Sequence, residues 1–204
     1  MKRIAVLFGR EDTFPWALID RINAIGGKQI RAVPAQIDGV LMEQPADYRV
    51  IIDRISQDVP FYRAYLKHAA LNGTAVINNP FWWTADDKFF NYTLASKLGV
   101  AVPRTVLLPH NQHPPDITAK SLRNLKYPLD WDAIFAYVGF PAFLKPYAGG
   151  GWKHVYKVHN PEELFHYYNQ TGDLCMTLQQ AIEYEEYYRC YVVGMQRVHI
   201  MRYD

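Results

Sequence analysis

Between residues 139 and 158 an apolar run, Phe140 to Leu144, delivers Lys145 to its end, and Gly149, Gly150 and Gly151 come next before strand-forming residues resume at Val155. This order predicts two strands, Phe140–Leu144 and Val155–Val158, paired antiparallel across a glycine turn. Packing demands neither a lysine in such a run nor three adjacent glycines. A polyphosphate uses both: a fixed cation, and a flexible loop whose bare N–H groups close over anionic oxygens. A plain glycine hairpin with an exposed Lys145 is the alternative. The apolar neighbours of that lysine, and Pro146 after it, which favours extended backbone, argue for a phosphate clamp.

The residues after the glycines exclude two common phosphate motifs. A P-loop needs Gly-Lys-Ser/Thr leading into a helix, and a dinucleotide fingerprint needs G-x-G-x-x-G opening one. Here the glycines lead into strand-like Lys153–Val158, so a phosphate would sit beneath a mobile hairpin rather than on a helix N-terminus. A Rossmann-type oxidoreductase built on the first strand is also disfavoured. Ile4–Phe8 leads into Gly9, Arg10, Glu11 and Asp12, which puts acids where a pyrophosphate would lie.

Strand and helix patterns alternate through the first part of the chain. Ile4–Phe8, Ile30–Val33, Val50–Ile55 and Ala75–Ile77 read as buried strands. Helical spacing over Pro15–Ile25, stopped by Gly26 and Gly27, and over 58–71 lies between them. This predicts a small parallel α/β domain covered on both faces. Thr84 and Asp87 have capping-box spacing for a helix to about Leu98, with Gly99 as its left-handed stop. Pro103–Leu108 reads as a linking strand. Asp130 caps a helix to Val138, and Asn160, Pro161, Glu162 and Glu163 start another that ends near Gly172. Met176–Ile182, Arg189–Val193 and Val198–Met201 complete the strands. The break at His110–Pro115 divides the chain into a domain of residues 1–110 and a domain of residues 111–204.

Composition narrows the partners. A formal charge of +2 argues against nucleic acid or a membrane surface. Cys175 and Cys190 suit neither a disulfide framework nor zinc, and read as reduced thiols. No run approaches the roughly 20 apolar residues that cross a bilayer, and the five apolar residues after Met1-Lys-Arg are a first strand rather than a signal peptide. These observations predict a cytoplasmic protein. Tyrosine clusters such as Tyr184, Tyr187, Tyr188 and Tyr191 leave a homo-oligomer open, although packing between strands and helices accounts for them more simply.

Two further features accompany the clamp. Lys88 lies in a first helical turn, where the macrodipole disfavours a cation; Asp86 and Asp87 offset it, but an anionic ligand explains it better. The second is an extended, mostly uncharged segment, Leu178–Ile182, that gives way to Glu183, Glu185 and Glu186. Its backbone suits the edge of an adenine and a carboxylate suits ribose hydroxyls, although in isolation an acidic solvated loop is the commoner reading.

Together, lysine at a helix start, strand lysine, glycine hairpin, and extended segment with downstream carboxylates resemble the ATP-grasp superfamily. That superfamily includes D-alanine–D-alanine ligase, glutathione synthetase, biotin carboxylase and the glutamate ligases that modify ribosomal protein. Val76 to Pro80, Asp87-Lys88 and Gly99 to Pro103 carry the more specific part, and Arg189 to Gly194 is similar to the post-hinge strand of the glutamate-ligase branch.

The resemblance implies a pre-ATP-grasp α/β domain followed by an ATP-grasp nucleotide-binding lobe of antiparallel strands and helices. It implies ATP as cofactor, with Lys88 and Lys145 on the phosphates and Gly149, Gly150 and Gly151 as lid. Gln179, Gln180, Ala181 and Ile182 would form the adenine hinge on the far wall of one cleft, and Glu186 would hold the ribose. Arg189 is a candidate for a phosphate or acyl-substrate contact; Asp53 and Arg54 are weaker substrate-side candidates, for which an exposed salt bridge is an equal reading. Gln179 and Gln180 depart from the glutamate and lysine frequent in that family. Asp204 comes soon after the hinge strand, and no magnesium-binding acidic pair with an asparagine follows Lys145. The expectation is therefore a truncated front part, with Mg2+ bound only together with a missing C-terminal part, no metal ligand in this chain, and no residue assigned a catalytic role. Whole, it would be a ligase joining a small-molecule or peptide carboxylate to an amine or thiol through an acyl phosphate; this chain alone would be inactive. The alternative is a non-catalytic nucleotide-binding or interaction module.

Overall fold

The computed structural model describes residues 1–81 and 87–203, which fall into two compact units, Met1–Asp86 and Asp87–Asp204. Thr84 of the expected capping box lies outside the described residues.

In the first unit, strands β1 (Lys2–Leu7), β2 (Ile30–Pro34), β3 (Val50–Asp53) and β4 (Ala75–Ile77) form a parallel sheet in the order β2-β1-β3-β4. The apolar run of β1 puts it inside the sheet, with Ala5 and Val6 fully buried, because a strand covered on both faces needs apolar residues at every position. Helices α1 (Phe14–Ile25) and α2 (Pro60–Leu71) cross between strands, each with a proline in its first turn, where no amide partner is lost. Gly26 ends α1 for a steric reason: a Cβ there would meet the Ile22 carbonyl oxygen at 2.8 Å and the Ile30 Cβ at 3.0 Å. Asn23 of α1 closes the outer edge of β2, donating to the Ala32 carbonyl at 3.0 Å and accepting from its N–H at 2.8 Å. That is the pairing another strand would have offered.

The second unit holds α3 (Lys88–Lys97), β5 (Thr105–Leu108), α4 (Trp131–Val138), β6 (Ala142–Pro146), β7 (Tyr156–Val158), α5 (Pro161–Tyr168), β8 (Met176–Gln180), β9 (Tyr188–Val193) and β10 (Arg197–Arg202). Its four-stranded sheet, β5-β8-β6-β7, is antiparallel throughout, and β9 and β10 form a separate hairpin exposed along its whole length. Asp130 caps α4 by accepting from Ala133 N–H at 3.0 Å, and Asn160 caps α5 by accepting from Glu163 N–H at 2.8 Å. Asp87 accepts from Phe90 N–H at 2.8 Å, so it is itself the cap of α3 rather than the last member of a box. Leu108, Val138, Leu144, Val158, Leu164, Met176 and Leu178 form the core. Tyr168 closes its edge, donating to the Pro109 carbonyl at 2.6 Å, and burial pushes its hydroxyl pKa up to about 12.

The expected division at residue 110 differs from the contact units. Strand β5 is no linker: Thr105 to Leu108 pair with Gln179 to Met176, so these residues belong to the second sheet. The proline-rich stretch after Leu108 is a loop within that unit. Among the described residues, no helix is long and apolar enough to cross a membrane.

Candidate functional site

Strand alternation decides which face of the second sheet carries chemistry. On β6, Ala142 and Leu144 point into the core, so Phe143 and Lys145 take the opposite face. On β8, Met176 and Leu178 enter the same core, and Thr177 and Gln179 stand beside Phe143 and Lys145. The expected hairpin is present: β6 and β7 pair antiparallel, with the glycine segment in the turn that joins them and no helix at Gly151.

Lys145 donates to Gln179 Oε1 at 2.7 Å and to the Tyr92 hydroxyl at 3.2 Å. No carboxylate among the described residues pairs with it. Lys88 is the first residue of α3; its N–H donates to the Tyr147 carbonyl at 2.8 Å, and its ammonium donates to the Gly149 carbonyl. The helix-start lysine thus holds the entry of the glycine loop. Gly149 and Gly151 have φ of 81° and 72°, and Trp152 and His154 after them also lie in the left-handed region, at 61° and 57°. Nothing lies within 4 Å of where a Cβ on any of the three glycines would stand. Backbone conformation, not crowding, therefore calls for glycine at Gly149 and Gly151, and the open loop leaves room for an anion.

Lys88, Lys145, Gly149, Gly150, Gly151, Gln179, Gln180, Ile182 and Arg189 all line one cavity of about 1160 Å³ within this unit. Lys153 and His154 add basic groups, and the lining contains no carboxylate among the described residues. The cavity is large enough for a nucleotide and carries the opposite charge. Because β8 is the hydrogen-bonded neighbour of β6, the side chain of Gln179 meets Lys145 directly rather than facing it across the cavity.

Three sequence candidates lie elsewhere. The N–H of Ala181 donates to the Pro141 carbonyl at 3.0 Å, and Ala181 is not part of the lining. Glu186 accepts from the Tyr188 hydroxyl at 2.7 Å and pairs with Arg202 at 3.2 Å, also outside the lining. Arg54 belongs to the first unit and pairs with Glu11, whose carboxyl its guanidinium holds below the usual range. Arg189 stacks on Tyr203, its guanidinium carbon 4.1 Å from the ring centre.

Sequence reasoning missed Tyr92 and Thr105, and the tyrosines Tyr184, Tyr187 and Tyr203 in the lining. Tyr92 was within reach, since it comes one helical turn after Lys88 and shares its face. Thr105 meets Gln179 because β5 pairs with β8, which local pattern does not reveal.

No protein-family model matches the sequence, and no curated protein matches it. Solved structures do match. A RimK domain protein ATP-grasp from Sphaerobacter thermophilus aligns at 19% identity and a TM-score of 0.62, over 89% of this chain and 64% of that one. The VanG D-Ala:D-Ser ligase from Enterococcus faecalis aligns at 16% and 0.66, over 98% and 68%. The D-alanine–D-alanine ligase from Bacillus anthracis aligns at 14% and 0.56, over 100% and 71%. The chain has the ATP-grasp fold, and it spans less than two thirds of the length of the first of these proteins.

Proposed function

We propose that this chain binds ATP in the cavity of its second unit, as the nucleotide-binding part of an ATP-dependent ligase that joins a carboxylate to an amine or thiol. One observation carries the proposal. Two lysines distant in sequence and a glycine loop with left-handed backbone meet in a cavity whose described lining is basic and free of carboxylates. Structural neighbours that are ligases of this fold support the reaction class.

In that reaction a carboxylate oxygen attacks the γ-phosphorus and ADP departs, leaving an acyl phosphate. The amine or thiol then attacks the acyl carbon, loses its proton, and displaces inorganic phosphate. The lysines would hold the β- and γ-phosphate charge, and the loop from Gly149 to Gly151 would cover it with backbone N–H groups. Arg189, on the same cavity, is placed to meet either the terminal phosphate or the acyl substrate. Glu186 is the proposed ribose ligand and Arg54 the proposed substrate-side contact. The reading implies an ATP-rich compartment, the cytoplasm, and a small-molecule or peptide carboxylate as substrate.

Magnesium supplies charge neutralisation between the phosphates in such chemistry. The described residues do not fit it: no group of three or more His, Cys, Asp or Glu gathers among them, and the lining offers no carboxylate oxygen. The second reading is a nucleotide-binding module without catalysis. Calorimetric titration with ATP and an ADP-release assay separate these readings. The 204-residue chain is expected to bind ATP weakly and to release no ADP with magnesium and any mixture of carboxylates and amines. Magnesium-dependent turnover would overturn this account of where the metal ligands lie.

A further inference from the structure

Gln179 is only 6% exposed, yet its amide is held from both sides by neighbouring strands. Lys145 of β6 lies 2.7 Å from its Oε1, and Thr105 of β5 lies 2.8 Å from its Nε2. A lysine ammonium carries donors and no acceptor, so the amide atom facing it must be the carbonyl oxygen. The NH2 group then faces Thr105. The Thr105 hydroxyl proton goes to the Pro103 carbonyl at 2.9 Å, which leaves Oγ1 as an acceptor. The donors therefore run in one direction, from Gln179 to Thr105 to Pro103. A reversed amide would set NH2 against the ammonium and a carbonyl against an oxygen already without a proton to give.

A glutamate at this position would be an acceptor whichever oxygen faced the cavity. A glutamine presents a donor at one end and an acceptor at the other, so its orientation decides what it recognises. Lys145 occupies one lone pair of Oε1, and a carbonyl oxygen has two. The second remains for a ligand in the cavity that Gln179 lines. Without the Thr105 hydroxyl, the buried NH2 would lose its partner at a cost that favours rotation toward the cavity, where it would present a donor instead.

We propose that Thr105 is a positioning residue that fixes the Gln179 amide, so that the cavity selects a nucleobase with an exocyclic amine over one with a carbonyl at the same position. The proposal rests on the nucleotide reading above.

The test compares ATP with ITP, which differ at that position, by competitive titration of the wild-type chain, Thr105→Val and Thr105→Ser. The wild type should prefer ATP by roughly tenfold or more, the scale of one gained hydrogen bond and one avoided clash. Thr105→Val should bring the ratio close to one, and Thr105→Ser should keep it; Thr105→Ala gives the same comparison should the valine variant not fold. Hydrogen exchange of the Gln179 side-chain amide, followed by NMR in the free protein, reads the lock without nucleotide. Protection in the wild type and its loss in Thr105→Val are expected. Unchanged selectivity in the valine or alanine variant, with nucleotide binding intact, overturns the role of Thr105 alone. Failure of the wild type to bind either nucleotide overturns the nucleotide reading, and the selectivity proposal falls with it.

Discussion

Lys145→Met is expected to weaken ATP binding by roughly 10- to 100-fold, the consequence of losing a charge-assisted contact of about 1.5–3 kcal/mol. The ammonium sits on a cavity-facing position of a strand whose alternate residues are buried, so the substitution leaves the core untouched. Methionine retains most of the stem and removes the charge. It also frees Gln179 Oε1 and the Tyr92 hydroxyl, both of which accept from Lys145 in the wild type. Arg10→Ala is the control: Arg10 is an exposed first-unit residue paired with Asp58 and absent from the cavity lining. Calorimetry on both variants should show near wild-type affinity for the control and a large loss for Lys145→Met. Equal effects would mean that binding depends on net charge rather than on this site.

Leu178→Ala is expected to destabilise the second unit by about 2–5 kcal/mol, the usual range for a buried leucine truncated in a packed core. Leu178 is fully buried on β8, between β5 and β6, where a cavity has little room to collapse. Against a typical domain stability of roughly 5–15 kcal/mol, such a loss consumes a large share of the total. Leu107→Ala offers the contrast, since Leu107 lies on the adjacent strand β5 but is 42% exposed. Urea unfolding followed by circular dichroism should shift strongly for Leu178→Ala and by less than about 1 kcal/mol for Leu107→Ala. Similar shifts for the two would contradict the assignment of β5 and β8 to one sheet with a one-sided core.

Features written in short-range pattern were legible in the sequence. The hairpin around Gly149–Gly151, the caps at Asp130 and Asn160, and the stop at Gly26 arise from residues within one or two turns of each other. Pairing between distant segments was not legible. Thr105–Leu108 looks like a linker because its partner, Met176–Gln179, lies far along the chain, and hydrogen bonding across a sheet leaves no local trace. The same limit explains the site. Lys88, Lys145 and the glycines were visible as residues out of place for packing alone, whereas the contacts of Lys145 with Tyr92 and of Gln179 with Thr105 arise only when three strands and a helix come together. Ala181, just past the end of β8, is outside the lining, and its N–H is taken by the Pro141 carbonyl, a long-range bond that local pattern does not reveal.

The measurement that bears most directly on the central claim is a crystal structure of this chain with a non-hydrolysable ATP analogue. The phosphates are predicted to lie between Lys88, Lys145 and the loop of Gly149–Gly151, with the base against Gln179, Gln180 and Ile182. An analogue bound anywhere outside this cavity, or with its base against Lys88 and the glycine loop and its phosphates against Gln180 and Ile182, would contradict the account.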